Sequence, residues 1–161
     1  MRWRNLLFIL LVALAGCKEE KLALGEPAPQ LAAFDSQGHE AKLDAWQGKG
    51  VYLNFWSVSC GGCMAEMHTL EKLSQQWGDK LVVVAVNTDN DAVDIAPMLA
   101  EHHITYPVVR DQMKITQERY QVIGTPTSFL IDPAGRVIDM HQGARDEQAL
   151  TATFRKLAGE G

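Results

Sequence analysis

Leu81-Val82-Val83-Val84-Ala85-Val86 is an unbroken apolar run, and it constrains the fold more than any other stretch of the chain. A strand with one face in water alternates apolar and polar residues. A continuous Val/Leu run belongs instead to a central strand covered on both faces. Val51-Tyr52-Leu53-Asn54-Phe55-Trp56 is a second β-rich run. Between the two, Cys63, Met67, Leu70, Leu73 and Trp77 recur at helical spacing from Gly61 to Trp77, and Gly78-Asp79 closes that helix. A further helix is expected within Asp91 to His103, with Pro97 in its first turn, where proline is tolerated. Pro107-Val108-Val109 reads as a short strand and Met113 to Tyr120 as a short helix. Thr127 to Ile131 and Arg136 to Met140 flank Asp132-Pro133-Ala134-Gly135, a turn between paired strands. Glu147 to Ala158 is a closing helix. Strands alternating with helices, then a hairpin, then a helix predict an α/β fold with a central mixed β-sheet flanked by helices.

The 161 residues are enough for one domain with a proper core, and the first sixteen stand apart from it. Arg2 and Arg4 form a short basic head. Leu6 to Leu14 is apolar but too short to span a bilayer as a stable helix, and Leu14-Ala15-Gly16-Cys17 supplies small residues at a cleavage point. The pattern resembles a bacterial lipoprotein signal over residues 1–16, with Cys17 as the lipidated first residue of the mature chain. An ordinary signal peptide or an uncleaved anchor is the alternative. Residues 17–30, with Glu19, Glu20, Pro27 and Pro29, read as the lipidated N-terminus and a polar tether, and residues 31–161 as the folded domain.

Removing residues 1–16 takes away Arg2 and Arg4 and no acid, which carries the formal charge from −5 to −7. A domain this acidic is poorly suited to nucleic acid and would not adhere to anionic lipid by charge. Membrane attachment then rests on acyl chains at Cys17. Export also sets the redox context: a thiol pair beyond the cytosol either donates a disulfide or needs an electron supply to stay reduced.

Cys60 and Cys63 frame Cys60-Gly61-Gly62-Cys63, between the first strand and the first helix. At the helix start, unpaired backbone N–H groups and the dipole favour a thiolate, so Cys60 is suited to attack. Cys63 lies one turn further in, on the apolar face, and is suited to resolve a mixed disulfide. A zinc site needs about four ligands. Cys17 is the only other cysteine and His102-His103 are distant in sequence, so no metal is expected. A peroxiredoxin-type cysteine follows proline and threonine at fixed offsets, where this chain has Leu53 and Ser57.

With Asn54-Phe55-Trp56 before the cysteines and Gly124-Thr125-Pro126-Thr127 and Phe129-Leu130-Ile131-Asp132 after them, the chain resembles the thioredoxin-fold family. It is most similar to exported, membrane-attached thiol–disulfide oxidoreductases of the TlpA/ResA type, over roughly Leu24 to Leu157. The resemblance implies a thioredoxin-like fold for residues 31–161 and no cofactor. It implies a cis Pro126 lying against the cysteine pair, with the Thr125 backbone turned outward to pair with an extended substrate peptide. Trp46, Trp56 and Trp77 read as core or core-edge residues, though Trp56, just ahead of the motif, is also placed to lie beside the disulfide and the substrate.

Glu66 stands out on the first helix. Counted from Cys63 at about 100° per residue, the apolar side chains fall between about 280° and 40°, and Glu66 falls at about 300°. A carboxylate on a buried face is costly unless partnered, and desolvation raises its pKa. Next to a buried thiol such a group is suited to moving a proton. A rim glutamate that reaches solvent is the alternative; the resemblance favours the buried one, since ResA-like reductases carry a glutamate at this offset. The chain departs from the family at four places. Asn54 replaces thioredoxin's buried aspartate, and Ser59 the tryptophan often found before the first cysteine. Gly62 replaces the usual proline before the second cysteine, and His68, near 140° on the polar face, a common helix proline.

The resemblance implies a reductase of exported protein disulfides, serving cytochrome c maturation or another periplasmic dithiol pathway, with a membrane protein as electron donor or acceptor. A disulfide oxidase or isomerase is the nearest rival, and a copper-chaperone-like metal-handling module a more distant one. The expected location is the cell envelope, facing the periplasm, on either the inner or the outer membrane.

Overall fold

The structure, a computed structural model, describes residues 21–161. Its strands are β1 (Gly50–Trp56), β2 (Leu81–Asn87), β3 (Val108–Arg110), β4 (Thr127–Ile131) and β5 (Val137–Gln142). Its α-helices are α1 (Gly61–Trp77), α2 (Ala96–Glu101), α3 (Ile115–Arg119) and α4 (Glu147–Leu157). One sheet of order β3-β2-β1-β4-β5 holds all five strands. β1 pairs in parallel with β2, and β2 with β3; β1 pairs antiparallel with β4, and β4 with β5. The sheet is therefore mixed, as the element order requires.

Alternation along the central strands sorts two cores. Tyr52 and Trp56 of β1, with Leu81, Val83 and Ala85 of β2, meet Met67, Leu70 and Leu73 of α1 and Leu150 and Phe154 of α4. On the other face, Leu53 and Phe55 of β1 and Val84 and Val86 of β2 meet Phe129, Tyr120 and the N-terminal residues Ala28, Leu31 and Ala33. Phe55, Tyr120 and Phe129 form a ring cluster there, with centroids 5.0 to 5.7 Å apart. Each such side chain contributes roughly 1.5–3 kcal/mol on full burial, so both layers are needed to hold the central strands.

Two expectations on boundaries change. The tether, expected to run to residue 30, is shorter, because the chain is already docked from Leu22. The Leu22 N–H donates to the Arg119 carbonyl, Gly25 N–H to Val137 O, and Ala28 N–H to Gly135 O, and Pro27 bridges to Arg136. The Tyr120 hydroxyl donates to the Pro29 carbonyl at 2.7 Å. Proline and glutamate read as polar linker, but here Ala28 is part of the second core and Pro29 is buried next to it. The last strand runs to Gln142 rather than Met140, which brings the following loop to the end of β1 that carries the cysteines. The signal segment and Cys17 lie outside the described residues.

Candidate active site

β1 and its parallel partner β2 end together, at Trp56 and Asn87. The Trp56 carbonyl accepts the Thr88 N–H at 2.9 Å and the Thr88 hydroxyl at 3.2 Å. The next residues are pinned by Asp89, whose Oδ2 accepts the Val58 N–H at 2.9 Å and the Asn87 side-chain N–H at 2.8 Å. Cys60 N–H donates to Ser57 O, closing a turn that delivers Cys60 to the start of α1.

Cys60 is the N-cap of α1, with extended backbone, and its Sγ accepts the Cys63 N–H at 3.1 Å. A sulfur here does what a capping oxygen does, and once the disulfide opens the same N–H favours a thiolate. Cys60 and Cys63 are joined as a disulfide, with Cα atoms 5.2 Å apart. Cys60 is half-buried, whereas Cys63 is only 2% exposed. An incoming disulfide can therefore reach the first sulfur and not the second.

The loop before β4 faces this pair. The Thr125–Pro126 peptide is cis, and Pro126 is buried. A Cβ built on Gly62 would lie 3.5 Å from Pro126 Cδ, so the proline packs directly on the motif. Ser57 Oγ and Thr125 Oγ1 are 3.4 Å apart, and the Thr127 hydroxyl holds the Gly124 carbonyl at 2.6 Å. The loop after β5 closes the third side. Gly143 N–H donates to Pro126 O at 2.8 Å, and Ala144 Cβ comes to 3.0 Å from the same Gly62 Cβ position.

Glu66, one turn beyond Cys63, is 2% exposed. Burial pushes its carboxyl above the ordinary value; a hydrogen bond from the Arg145 N–H and the Arg145 charge oppose that rise only in part. Its charge in turn acts on Tyr52, whose hydroxyl burial pushes up to about 12, and on Tyr106, which burial also pushes up. Asn54 is buried on the Tyr52–Trp56 side of β1. Its side-chain oxygen lacks a partner among the described residues, and Glu66, not residue 54, is the buried acid one turn from Cys63.

Cys60, Cys63 and Glu66 thus stand on the first two turns of α1, and Thr125 and Pro126 lie across from them. Trp56, expected beside the disulfide and the substrate, is 1% exposed and shares a core cluster with Cys63, so it is not on the open face of the site. His68 is exposed, as its polar-face position required. Among the described residues, no group of three or more His, Cys, Asp or Glu side chains is gathered to hold a metal. No described helix is long and apolar enough to cross a membrane.

Four residues were not singled out from the sequence. Asp89 had only its place just after an apolar strand as a signal. Ala144 and Arg145 had none, since their approach to α1 depends on where β5 ends. Glu71, at about 80° on the helix wheel, fell just outside the apolar arc. It is nonetheless buried, accepting the Thr105 N–H at 2.8 Å and the Gln75 side-chain N–H at 2.7 Å.

A dithiol pair at a strand-to-helix junction, backed by a buried carboxylate and faced by a cis-proline loop, defines a thioredoxin-fold thiol–disulfide oxidoreductase. The chain belongs to the Redoxin family, whose model matches residues 23–157. It is 32% identical to the thiol-disulfide oxidoreductase ResA of Bacillus cereus, over 98% of this chain and 99% of that one. A crystal structure from Chlorobium tepidum, assigned as a thiol:disulfide interchange protein DsbE, is 34% identical with a TM-score of 0.79, covering 86% of this chain and all of the other. The exposed lipoprotein thioredoxin of Streptococcus pneumoniae is 26% identical with a TM-score of 0.65, covering 80% of this chain and 99% of that one. The protein is a thiol–disulfide oxidoreductase of the ResA/DsbE type.

Proposed function

We propose that the protein is an exported lipoprotein, anchored through Cys17, that reduces disulfides in extracytoplasmic proteins. The Cys60 thiolate attacks one sulfur of a substrate disulfide, forming a Cys60–substrate bond and releasing the other substrate sulfur as a thiolate, which takes a proton from water. Cys63 then gives its proton to Glu66, and the new thiolate attacks Cys60 Sγ. The Cys60–substrate bond breaks, the second substrate sulfur leaves and is protonated, and Cys60–Cys63 closes as a disulfide. The substrate gains two electrons and two protons. A membrane-bound dithiol partner must then return two electrons to the protein, since no cofactor is needed for either exchange.

The observation that supports this proton route is Glu66: Cys63 is buried, and a buried carboxyl whose pKa burial raises stands one turn away to exchange the proton of its thiol. Thr125 and Pro126 form the edge on which an extended substrate pairs its backbone. The name of the Bacillus relative supports thiol–disulfide exchange, and that of the pneumococcal relative supports the lipid anchor. The resemblance to ResA-like reductases supports reduction in cytochrome c maturation or another exported dithiol pathway. Charge does not support nucleic acid as a partner.

The test is single-turnover reduction of a disulfide-bonded peptide by the reduced protein. Cys60→Ser is expected to abolish the reaction and Cys63→Ser to stall it as a covalent protein–peptide adduct visible by mass spectrometry. Full reduction by Cys60→Ser would overturn the assignment of roles. Rapid oxidation of a dithiol peptide by the disulfide form, with negligible reaction in reverse, would favour the oxidase instead.

A further inference from the structure

Arg145 acts on the proposed proton acceptor in two ways, by a main-chain hydrogen bond and by a charge that favours the ionised carboxylate. It stands in the loop between β5 and α4, the same loop whose Gly143 holds Pro126 and whose Ala144 abuts Gly62. Its N–H donates to Glu66 Oε1. Its guanidinium is not left to swing in solvent: Nη1 donates to the hydroxyl of Thr153 on α4, which in turn donates to the Ala149 carbonyl at 2.8 Å. Thr153 is itself buried, and Arg145 Nε is a buried donor without a partner among the described residues. A cation is costly to hold in such a place unless a negative charge nearby repays it. Glu66 is the buried acid whose charge it meets.

We infer that Arg145 is a positioning residue for Glu66: its N–H fixes one carboxylate oxygen, and its guanidinium, anchored by Thr153, holds positive charge beside that carboxylate. This rests on the reading above, in which Glu66 accepts the Cys63 proton. The device answers a conflict in the site. Burial favours protonated Glu66, but a protonated carboxyl cannot accept the proton that Cys63 must lose before its thiolate attacks Cys60. The Arg145 charge and N–H favour the ionised form and keep the acceptor open over a wider pH range. The other ionisable groups facing Glu66 are Cys63 on α1, Tyr52 on β1 and Tyr106 ahead of β3. Those facing the guanidinium are Asp139 and His141 on β5.

The test reads the Glu66 midpoint directly, by carboxyl-carbon NMR titration of the full protein labelled at glutamate, with Glu66→Gln assigning the signal. The pH profile of Cys63 closing on a Cys60–peptide disulfide is followed in parallel. Arg145→Gln is expected to raise both midpoints by about one pH unit, a tenfold change in proton affinity. Arg145→Lys, which keeps the charge, is expected to restore most of that shift. A merely structural role would slow resolution at every pH and leave the midpoints in place, and that result would overturn the inference. If Arg145→Gln fails to fold, Thr153→Val removes the anchor and keeps the charge; it is expected to move the midpoint upward by a smaller amount, and no movement would count against the inference. A resolution profile unaltered in Glu66→Gln would instead overturn the proton-acceptor reading itself, whatever Arg145 does.

Discussion

Ala144 occupies the space a side chain on Gly62 would need. A Cβ at residue 62 would meet Ala144 Cβ at 3.0 Å, and Ala144 is held there between the Gly143–Pro126 and Arg145–Glu66 hydrogen bonds. Gly62, the second of the two glycines between the cysteines, is thus matched by a loop some eighty residues on.

The pair is expected to be energetically coupled. Gly62→Ala relieves a helical glycine worth about 1 kcal/mol. It is expected to deliver that gain only in an Ala144→Gly background, with a coupling of roughly 0.5–1 kcal/mol. Urea unfolding of the four variants of the cycle checks this. Additive effects would mean the loop yields freely.

Reactivity should separate the two thiols. In the disulfide form, Cys60 caps a helix and is half-buried, while Cys63 is 2% exposed, and the reduced protein is expected to keep that difference. Brief alkylation at neutral pH is expected to label Cys60 and spare Cys63, with the labelling rate still substantial below the ordinary thiol range near pH 8.5. Peptide mapping reads the ratio, and equal labelling would contradict the assignment of attacking and resolving sulfurs.

Glu66 should cost stability at neutral pH. Its folded-state pKa is raised, chiefly by burial, so the folded protein holds that proton more tightly than the unfolded chain does. The stability this contributes is full below the ordinary glutamate range and falls as pH rises through the raised value. Glu66→Gln can still accept the Arg145 N–H, and is expected to be more stable than the unaltered protein at pH 7, with the advantage shrinking toward pH 4. The same variant is expected to slow resolution by about 10²-fold or more. Urea unfolding at several pH values checks the first, and a pH-independent stability difference would contradict it.

Glu71, five residues further along the same helix, should behave oppositely. Burial alone would raise its carboxyl, but hydrogen bonds from the Thr105 N–H and hydroxyl and from Gln75 outweigh that and bring it below the ordinary value. Its contribution is present above the ordinary glutamate range and is lost as pH falls toward the lowered value. Glu71→Ala leaves the Thr105 N–H unpaired and is expected to destabilise by about 1–3 kcal/mol at pH 7. Less loss at lower pH is expected in the same unfolding experiment.

These two glutamates also mark how far the sequence could be read. Glu66 was visible because its place inside an apolar arc is a property of one helix, and helical periodicity is local. The runs 51–56 and 81–86 were legible for the same reason, since alternation or its absence reports coverage of a single strand. Glu71 was missed because its partner is a loop at residue 105, and nothing within α1 records that approach. Asp89, Ala144 and Arg145 were hidden likewise: each acts where two elements meet. The N-terminal boundary misled for a chemical reason. Proline and glutamate resemble linker, yet Ala28 belongs to the second core and Pro29 is buried next to it, while Glu26 stays exposed.

The most direct measurement is the equilibrium reduction potential of Cys60–Cys63 against a glutathione or dithiothreitol couple. A protein that gives electrons to exported disulfides is expected near the thioredoxin-like end, about −270 mV or lower. A value near the strongly oxidising end, about −120 mV, would mean that the disulfide form is the donor and would contradict the reductase account.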